Sequence, residues 1–277
     1  MAKSPKPETG TLYVCATPIG NLEDASFRLI RTLQEVDLIA CEDTRKTKIL
    51  LDRYDLTTAM VSIEKFSEGK KVKSLIDRLQ KGESLALVSD AGTPAISDPG
   101  AHFVRQVRDA GIPVYGIPGP SSVTTVLSIS GILANQFFFG GFFPKSETHA
   151  LALLKKTSGL QVPVVFFESA KRFQKTLSLL ASQPESWQVF AAKELTKRFE
   201  TTFEGRAKDV LKKWTLGSHK GEWCLILTCQ AKTSDLDLAH VLSVFQKAGL
   251  SKSQMVKLGT TLFHFKRNTI YDAAQLG

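Results

Sequence analysis

Three short stretches rich in glycine and proline carry residue types from which a ligand site can be built. They are Thr17-Pro-Ile-Gly-Asn21, Ser89-Asp-Ala-Gly-Thr-Pro-Ala-Ile-Ser-Asp-Pro-Gly100 and Pro118-Gly-Pro-Ser-Ser122. Small, rigid residues let a ligand meet the backbone itself. Ser121 and Ser122 can also cap a following helix. One such turn is usually only a turn. Three at the ends of strand-like runs read as a single rim. Two charged strings also follow apolar runs, Glu42-Asp-Thr-Arg45 and Lys193-Glu-Leu-Thr-Lys197. Asp43, Arg45, Glu194 and Lys197 are the candidates to take a proton or to steady developing charge. The competing reading makes Asp43 or Thr44 a helix cap and the lysine string a solvated face.

The absent signatures narrow the chemistry. The chain has no Gly-x-x-x-x-Gly-Lys-Ser/Thr and no Gly-x-Gly-x-x-Gly after its first strand-like run. A phosphate-cradling loop and a standard nicotinamide site are therefore not expected. Gly-x-Ser-x-Gly and His-Glu-x-x-His are also missing, against a serine hydrolase or a zincin. The ligand should be held by backbone groups and an apolar slot. Cys15, Cys41, Cys224 and Cys229 lie in apolar runs without Cys-x-x-Cys, and the five histidines are scattered. The cysteines read as small buried hydrophobes in a reducing cytosol, and no metal is expected.

The elements that must position these residues alternate. Strand-like runs at 12–16, 37–41, 59–63, 84–88 and 113–117 interleave with helical periodicity at 25–36, 44–51, 70–80, 101–110 and 121–130. That pattern predicts a doubly wound α/β domain over 11–131, with a linker following. Alternation restarts with strands at 137–143, 162–167, 187–192, 201–204 and 222–228. Helices fall at 149–156, 171–180 and 207–214, so a second α/β domain is expected over 137–232. From 233 to 277 the pattern is helical only. Lys252, Lys257, Lys266 and Arg267 make that small tail a plausible nucleic-acid surface, or else a solvated cap. Residues 1–10 read as a disordered basic lead-in without the apolar core of a secretory signal.

The chain has 277 residues, enough for two domains. Lys plus Arg is 36 against 27 for Asp plus Glu, a net charge of +9 that favours polyanionic partners. No apolar run approaches the ~18–20 residues that span a bilayer. No membrane role is expected.

Several strings together resemble a known family. Thr17-Pro-Ile-Gly-Asn-Leu-Glu-Asp24, Cys41-Glu-Asp-Thr-Arg45, Leu87-Val-Ser-Asp-Ala-Gly-Thr-Pro94, Ser97-Asp-Pro-Gly100 and Pro118-Gly-Pro-Ser121 are similar to those of the ribosomal RNA small subunit methyltransferase I family. Phe167-Glu-Ser169 with Arg172, Lys193–Lys197, Lys220-Gly-Glu222 and Lys266-Arg-Asn-Thr-Ile-Tyr271 continue the likeness, from about residue 10 to 271. The family sits in a tetrapyrrole-methylase-like superfamily. The resemblance implies two α/β domains with S-adenosylmethionine in the cleft between them. It implies methylation of the ribose 2′-hydroxyl of a decoding-site cytidine in 16S ribosomal RNA, as RNA or small subunit, by a cytoplasmic homodimer. The apolar 137–143 segment and helices of the first domain would support that dimer. For the cofactor it points to Pro18, Ile19, Asp90, Ala91, Gly92, Thr93, Pro94, Ile96, Ser121 and Ser122, with Phe167 and Leu195 as apolar walls. The chain departs from the family at 62–68 and at Lys171, where histidines are usual. Two other readings compete: a tetrapyrrole-precursor methyltransferase of the same fold, and a non-catalytic nucleic-acid-binding protein.

Overall fold

The computed structural model describes residues 9–273, apart from 64–67, 99, 161, 185, 215–220, 231–237, 264 and 266. The first half alternates as β1 (Leu12–Cys15), α1 (Phe27–Glu35), β2 (Leu38–Cys41), α2 (Thr44–Arg53), β3 (Met60–Ser62), α3 (Glu68–Gln80), β4 (Leu85–Val88), α4 (Ala101–Asp109), β5 (Val114–Ile117) and α5 (Ser122–Ile129). The strands form one parallel sheet in the order β3-β2-β4-β1-β5. β2 and β4 are buried along their whole length. Strands covered on both faces read as unbroken apolar runs, which is how these appear in the sequence. One face packs Leu12, Val72, Leu79 and Phe103; the other packs Cys15, Leu29, Leu33 and Leu51.

This strand order fixes the ligand crevice. β1 and β4 are neighbours, yet the chain leaves β1 toward β2 and leaves β4 toward β5. Their loops part in opposite directions at their carboxyl ends, which is where open α/β sheets bind ligands. The loops in question are the first two glycine- and proline-rich stretches.

The second sheet contains β6 (Phe138–Phe142), β7 (Val164–Ser169), β8 (Ser186–Lys193), β9 (Thr201–Arg206) and β10 (Glu222–Gln230), in the order β6-β7-β10-β8-β9. Only β6 and β7 run parallel; β7, β10, β8 and β9 are antiparallel neighbours. One face packs against α6 (Glu147–Ser158), α7 (Ala170–Ala181) and α8 (Ala207–Trp214). At its centre Phe173 stacks on Trp223, with ring centroids 3.8 Å apart and planes 9° apart, and Trp214 meets both edge-on. The opposite face packs Val165, Phe190, Cys224 and Ile226 against Val123 and Val126 of α5. The last helix of the first sheet therefore lies under the second sheet, and its N-terminal end is brought to that sheet's face.

The C-terminal helices α9 (Leu238–Lys247), α10 (Lys252–Phe263) and α11 (Arg267–Ala273) share a small core of Leu242, Met255, Val256 and Ile270.

One expectation is corrected. Gly10 is no part of a disordered lead-in: it is buried, and its N–H donates to the Leu79 carbonyl at 2.7 Å. In the 137–143 segment Phe137 and Phe142 are exposed. Phe143 is buried in the second core, and Phe138 and Phe139 pack onto the two cores of that sheet.

Candidate active site

A cavity of about 370 Å³ lies between the carboxyl edge of the first sheet and the second sheet. From the first sheet Ile19, Ala91, Gly92, Thr93, Ile96, Ser121 and Ser122 line it. From the second come Phe142, Phe167, Glu194, Leu195, Lys197, Glu222 and Cys224. A second cavity of about 360 Å³ adjoins it, lined by Pro18, Lys46, Thr47, Ile49 and Asp90 among others. Ile19, Ala91, Lys197 and Glu222 belong to both walls. The structure thus brings together nearly all the residues expected at a cofactor site. Pro18 and Asp90 face the second cavity instead of the first. Pro94 is buried and lines neither.

The rim is fixed by backbone pairing. Thr17 and Gly92 exchange two hydrogen bonds, N–H to carbonyl, at 2.9 and 3.1 Å. The Thr17 hydroxyl donates to the Ser89 carbonyl at 3.3 Å. Gly92 takes φ +76°, and a Cβ there would sit 3.3 Å from Ile19 Cγ2. Among the described residues four non-glycines have left-handed φ, and three lie on the site's loops: Ala95, Glu194 and Thr196. Such backbone costs about 1–3 kcal/mol per residue and persists only where the surroundings enforce it. Ser121 stands at the N-cap of α5, but its hydroxyl makes no capping bond, so the expected cap is absent. Ser121, Ser122 and Val123, at that end of α5, line the cavity.

The match to known proteins follows this geometry. The tetrapyrrole (corrin/porphyrin) methylase family model covers residues 11–211. Ribosomal RNA small subunit methyltransferase I of Streptococcus pyogenes is 36% identical over 96% of this chain and 95% of its own length. The protein of the same name from Halalkalibacterium halodurans is 42% identical over 79% of this chain and 76% of its own. The chain belongs to the ribosomal RNA small subunit methyltransferase I family, within the tetrapyrrole methylases. Two solved neighbours share the fold. Diphthine synthase superposes with a TM-score of 0.62 at 15% identity, covering 79% of this chain and 89% of that one. Cobalt precorrin-4 methyltransferase superposes with a TM-score of 0.58 at 18% identity, covering 78% and 94%.

Lys197 Nζ lies 3.1 Å from Glu194 Oε1 and 3.0 Å from Glu222 Oε2. The Glu222 N–H also donates to Glu194 Oε1 at 2.9 Å. Burial opposes the Lys197 charge, but the hydrogen bonds it donates to Glu222 and Glu194 outweigh that and raise its pKa. Burial likewise opposes the Glu194 charge, and the Glu222 N–H with Lys197 reverses that and lowers its pKa. Lys197 therefore acts as a held cation. Glu222 was legible only as part of the Lys220-Gly-Glu222 string. Phe142, also contributed by the second sheet, was read only as one of an apolar run.

Asp43 and Arg45 behave as the capping alternative describes. Asp43 caps α2 by accepting from Arg45 N–H at 2.9 Å and pairs with the Arg45 guanidinium at 2.7 Å. That hydrogen bonding pulls the Asp43 pKa down to about 2, so it makes a poor base. Neither residue lines either cavity. Glu42, missed from the sequence, has its pKa raised by burial and by the nearby charges of Asp90 and Asp98. Cys224 lines the first cavity with its thiol pushed up to about 12 by burial, so it packs as a small hydrophobe and not a nucleophile.

Arg172 serves the wall indirectly. It pairs with buried Glu168 at 3.1 Å and donates to the carbonyls of Phe143 and Pro144 at 2.6 and 2.9 Å. That clamps the end of β6, next to Phe142. Of the positions where the family usually has histidine, Lys171 is exposed and Ser62 donates to the Glu42 carbonyl at 3.0 Å. Residues 64–67 lie outside the described residues.

Gly92 gives the sharpest test of this pocket. Gly92→Ala should weaken S-adenosylhomocysteine binding by roughly tenfold, from backbone strain and contact with Ile19. Gly92→Val should abolish it. Calorimetry on variants that keep the wild-type circular dichroism reads both. A Gly92→Val chain that binds normally overturns the pocket.

Proposed function

We propose that the chain transfers a methyl group from S-adenosylmethionine to the ribose 2′-hydroxyl of a decoding-site cytidine in 16S ribosomal RNA, free or in the small subunit. The observation that carries this reading is the pair of adjoining cavities with Lys197 and Glu222 in their shared wall. The relatives' names supply the RNA class, and the net charge of +9 suits a polyanion.

The first cavity fits the cofactor. Its volume lies in the ~300–1,000 Å³ range of small-ligand pockets. Ile19, Val123, Phe167 and Leu195 give apolar walls, and Ser121, Ser122 and the backbone of Ala91–Thr93 give polar groups. The cofactor lacks phosphate, so no phosphate loop is needed. Two carboxylates against one ammonium leave the Glu194–Lys197–Glu222 trio with one net negative charge, which suits a cationic ligand. When bound, S-adenosylmethionine supplies an activated methyl group on a sulfonium.

The chain's own residues do the rest. The second cavity receives the acceptor nucleotide. Lys197, protonated at neutral pH, faces the charge that develops on the acceptor oxygen. Glu222, whose side chain is 83% exposed, is the carboxylate on the shared wall that can accept the 2′ proton. Glu194 holds Lys197 and the Glu222 backbone in register. Asp43 and Arg45 shape α2 beside the second cavity and are not assigned a chemical step. Positioning of oxygen and methyl carries much of the rate.

Two further parts belong to this reading. Lys252, Lys257 and Arg267 are exposed on the C-terminal helices and would contact RNA phosphates; Lys266 lies outside the described residues. Charge reversal of the tail's basic residues should lower small-subunit affinity and reduce the salt slope by ~0.7–0.9 per lost phosphate contact. Unchanged methylation across salt concentrations makes the tail a structural cap. Exposed Phe27, Tyr115 and Leu133 offer apolar surface for a homodimer. Light scattering should then give twice the 30.4 kDa chain mass, and a monomer at micromolar concentration removes the dimer. An enzyme of this substrate works in the cytoplasm.

Mass mapping of 16S ribose methylation in a deletion strain tests the whole reading. One cytidine should lose its methyl group and regain it with the wild-type gene. Lys197→Ala should restore less than about 1% of the rate, as for loss of one charge-stabilising donor. Full restoration by Lys197→Ala contradicts the assignment, and unaltered methylation in the deletion strain contradicts the function.

A further inference from the structure

The loop from Glu194 to Glu200, between β8 and β9, places Lys197 in the wall of both cavities. The next two residues point to something more. Phe199 is 73% exposed, and the Arg198 guanidinium carbon lies 5.6 Å from its ring centroid. Water-exposed phenylalanine forgoes about 1.5–3 kcal/mol of burial. This loop is nevertheless built to hold it out. Glu194 N–H donates to the Glu222 carbonyl, Lys197 N–H to the Glu194 carbonyl and Glu200 N–H to the Lys197 carbonyl, each at 3.0 Å. The Glu200 carboxylate accepts from Thr196 N–H. Glu194 and Thr196 keep left-handed backbone, with φ of 53° and 66°. Strain retained on non-glycine residues marks a conformation enforced by its surroundings.

Among the described residues of β8, β9, β10 and their connections, Phe199 is the one exposed large hydrophobic side chain; exposed Phe142 and Ile96 belong to the lining of the first cavity. A protein partner would need a wider apolar patch. A single exposed ring beside a guanidinium matches a nucleobase, which stacks on the ring while its phosphate pairs with the arginine. The ring is two residues from Lys197, within about 7 Å of backbone.

We propose that Arg198 and Phe199 form a stacking platform for an unpaired RNA base flanking the methyl acceptor. This rests on the reading that the chain methylates RNA, and it adds the element that sets the strand's register at the cavities. The side chain is exposed, so replacing it leaves the core intact.

The test uses the full-length enzyme, methyl-free small subunits and radiolabelled S-adenosylmethionine. Phe199→Ala should raise KM for the small subunit by about 5- to 150-fold, the loss of one base stack. S-adenosylhomocysteine affinity by calorimetry should stay within twofold. Phe199→Tyr should restore KM and Phe199→Leu should not. An unchanged KM in Phe199→Ala, or equal rescue by leucine, overturns the platform. A change of oligomeric state in Phe199→Ala makes the ring a contact between copies of the chain and overturns it too. All these results leave wild-type methylation in place, whereas failure of the parent reading removes it.

Discussion

The backbone pairing of Thr17 with Gly92 is the constraint from which the site follows. β1 and β4 are adjacent, but their loops must leave the sheet in opposite directions. Unpaired, those loops would expose backbone polar groups to each other and to the cavity, at a cost of a lost hydrogen bond each. The two hydrogen bonds close the loops across the gap. They also dictate the left-handed Gly92 and set it against Ile19. The floor of the first cavity is therefore backbone, held at fixed height. A ligand that uses apolar contact and peptide groups fits such a floor, and a phosphate-bearing one gains less from it.

The second constraint is the double use of α5. Its apolar face packs beneath the second sheet through Val123 and Val126, while its first turn faces the cavity. Packing that stabilises the helix thus also fixes the distance between the two rims. The antiparallel β8–β10 pair then carries Glu194 and Glu222 to the same end of the second sheet. Lys197 lies between those carboxylates, where both cavities meet. Rigid sheets on each side position the charges, and the strained 194–200 loop is the narrow place where they meet.

Much of this was legible in the residues. Leu85–Val88 reads as a buried strand because a parallel strand covered on both faces has no polar side to show. Asp43 reads as a cap because its short carboxylate reaches the second residue of the following turn. The strings around Gly92, Ser121 and Glu194 were found together, and the fold brings them together. The directions of the second sheet were not legible. Strand–helix alternation suggested layers, yet three of its four strand pairings are antiparallel, because connections such as the β8–β9 loop need no crossover helix. Nor could periodicity show that Phe142 lines a wall while its neighbour Phe143 is buried, since β6 is irregular between Phe139 and Phe142. Gly10 looked like lead-in because its fit against Glu83 depends on a residue far along the chain. Pairing, not residue type, decided among the charges: Asp43 went to Arg45 and Lys197 to two glutamates.

The central claim is that both rims close on one ligand. Hydrogen exchange with and without S-adenosylhomocysteine reads this most directly. Exchange should slow together at 89–96 and at 194–197, with little change in the C-terminal helices. Protection of one rim alone, or protection confined to the C-terminal helices, would contradict a cofactor held between the two sheets.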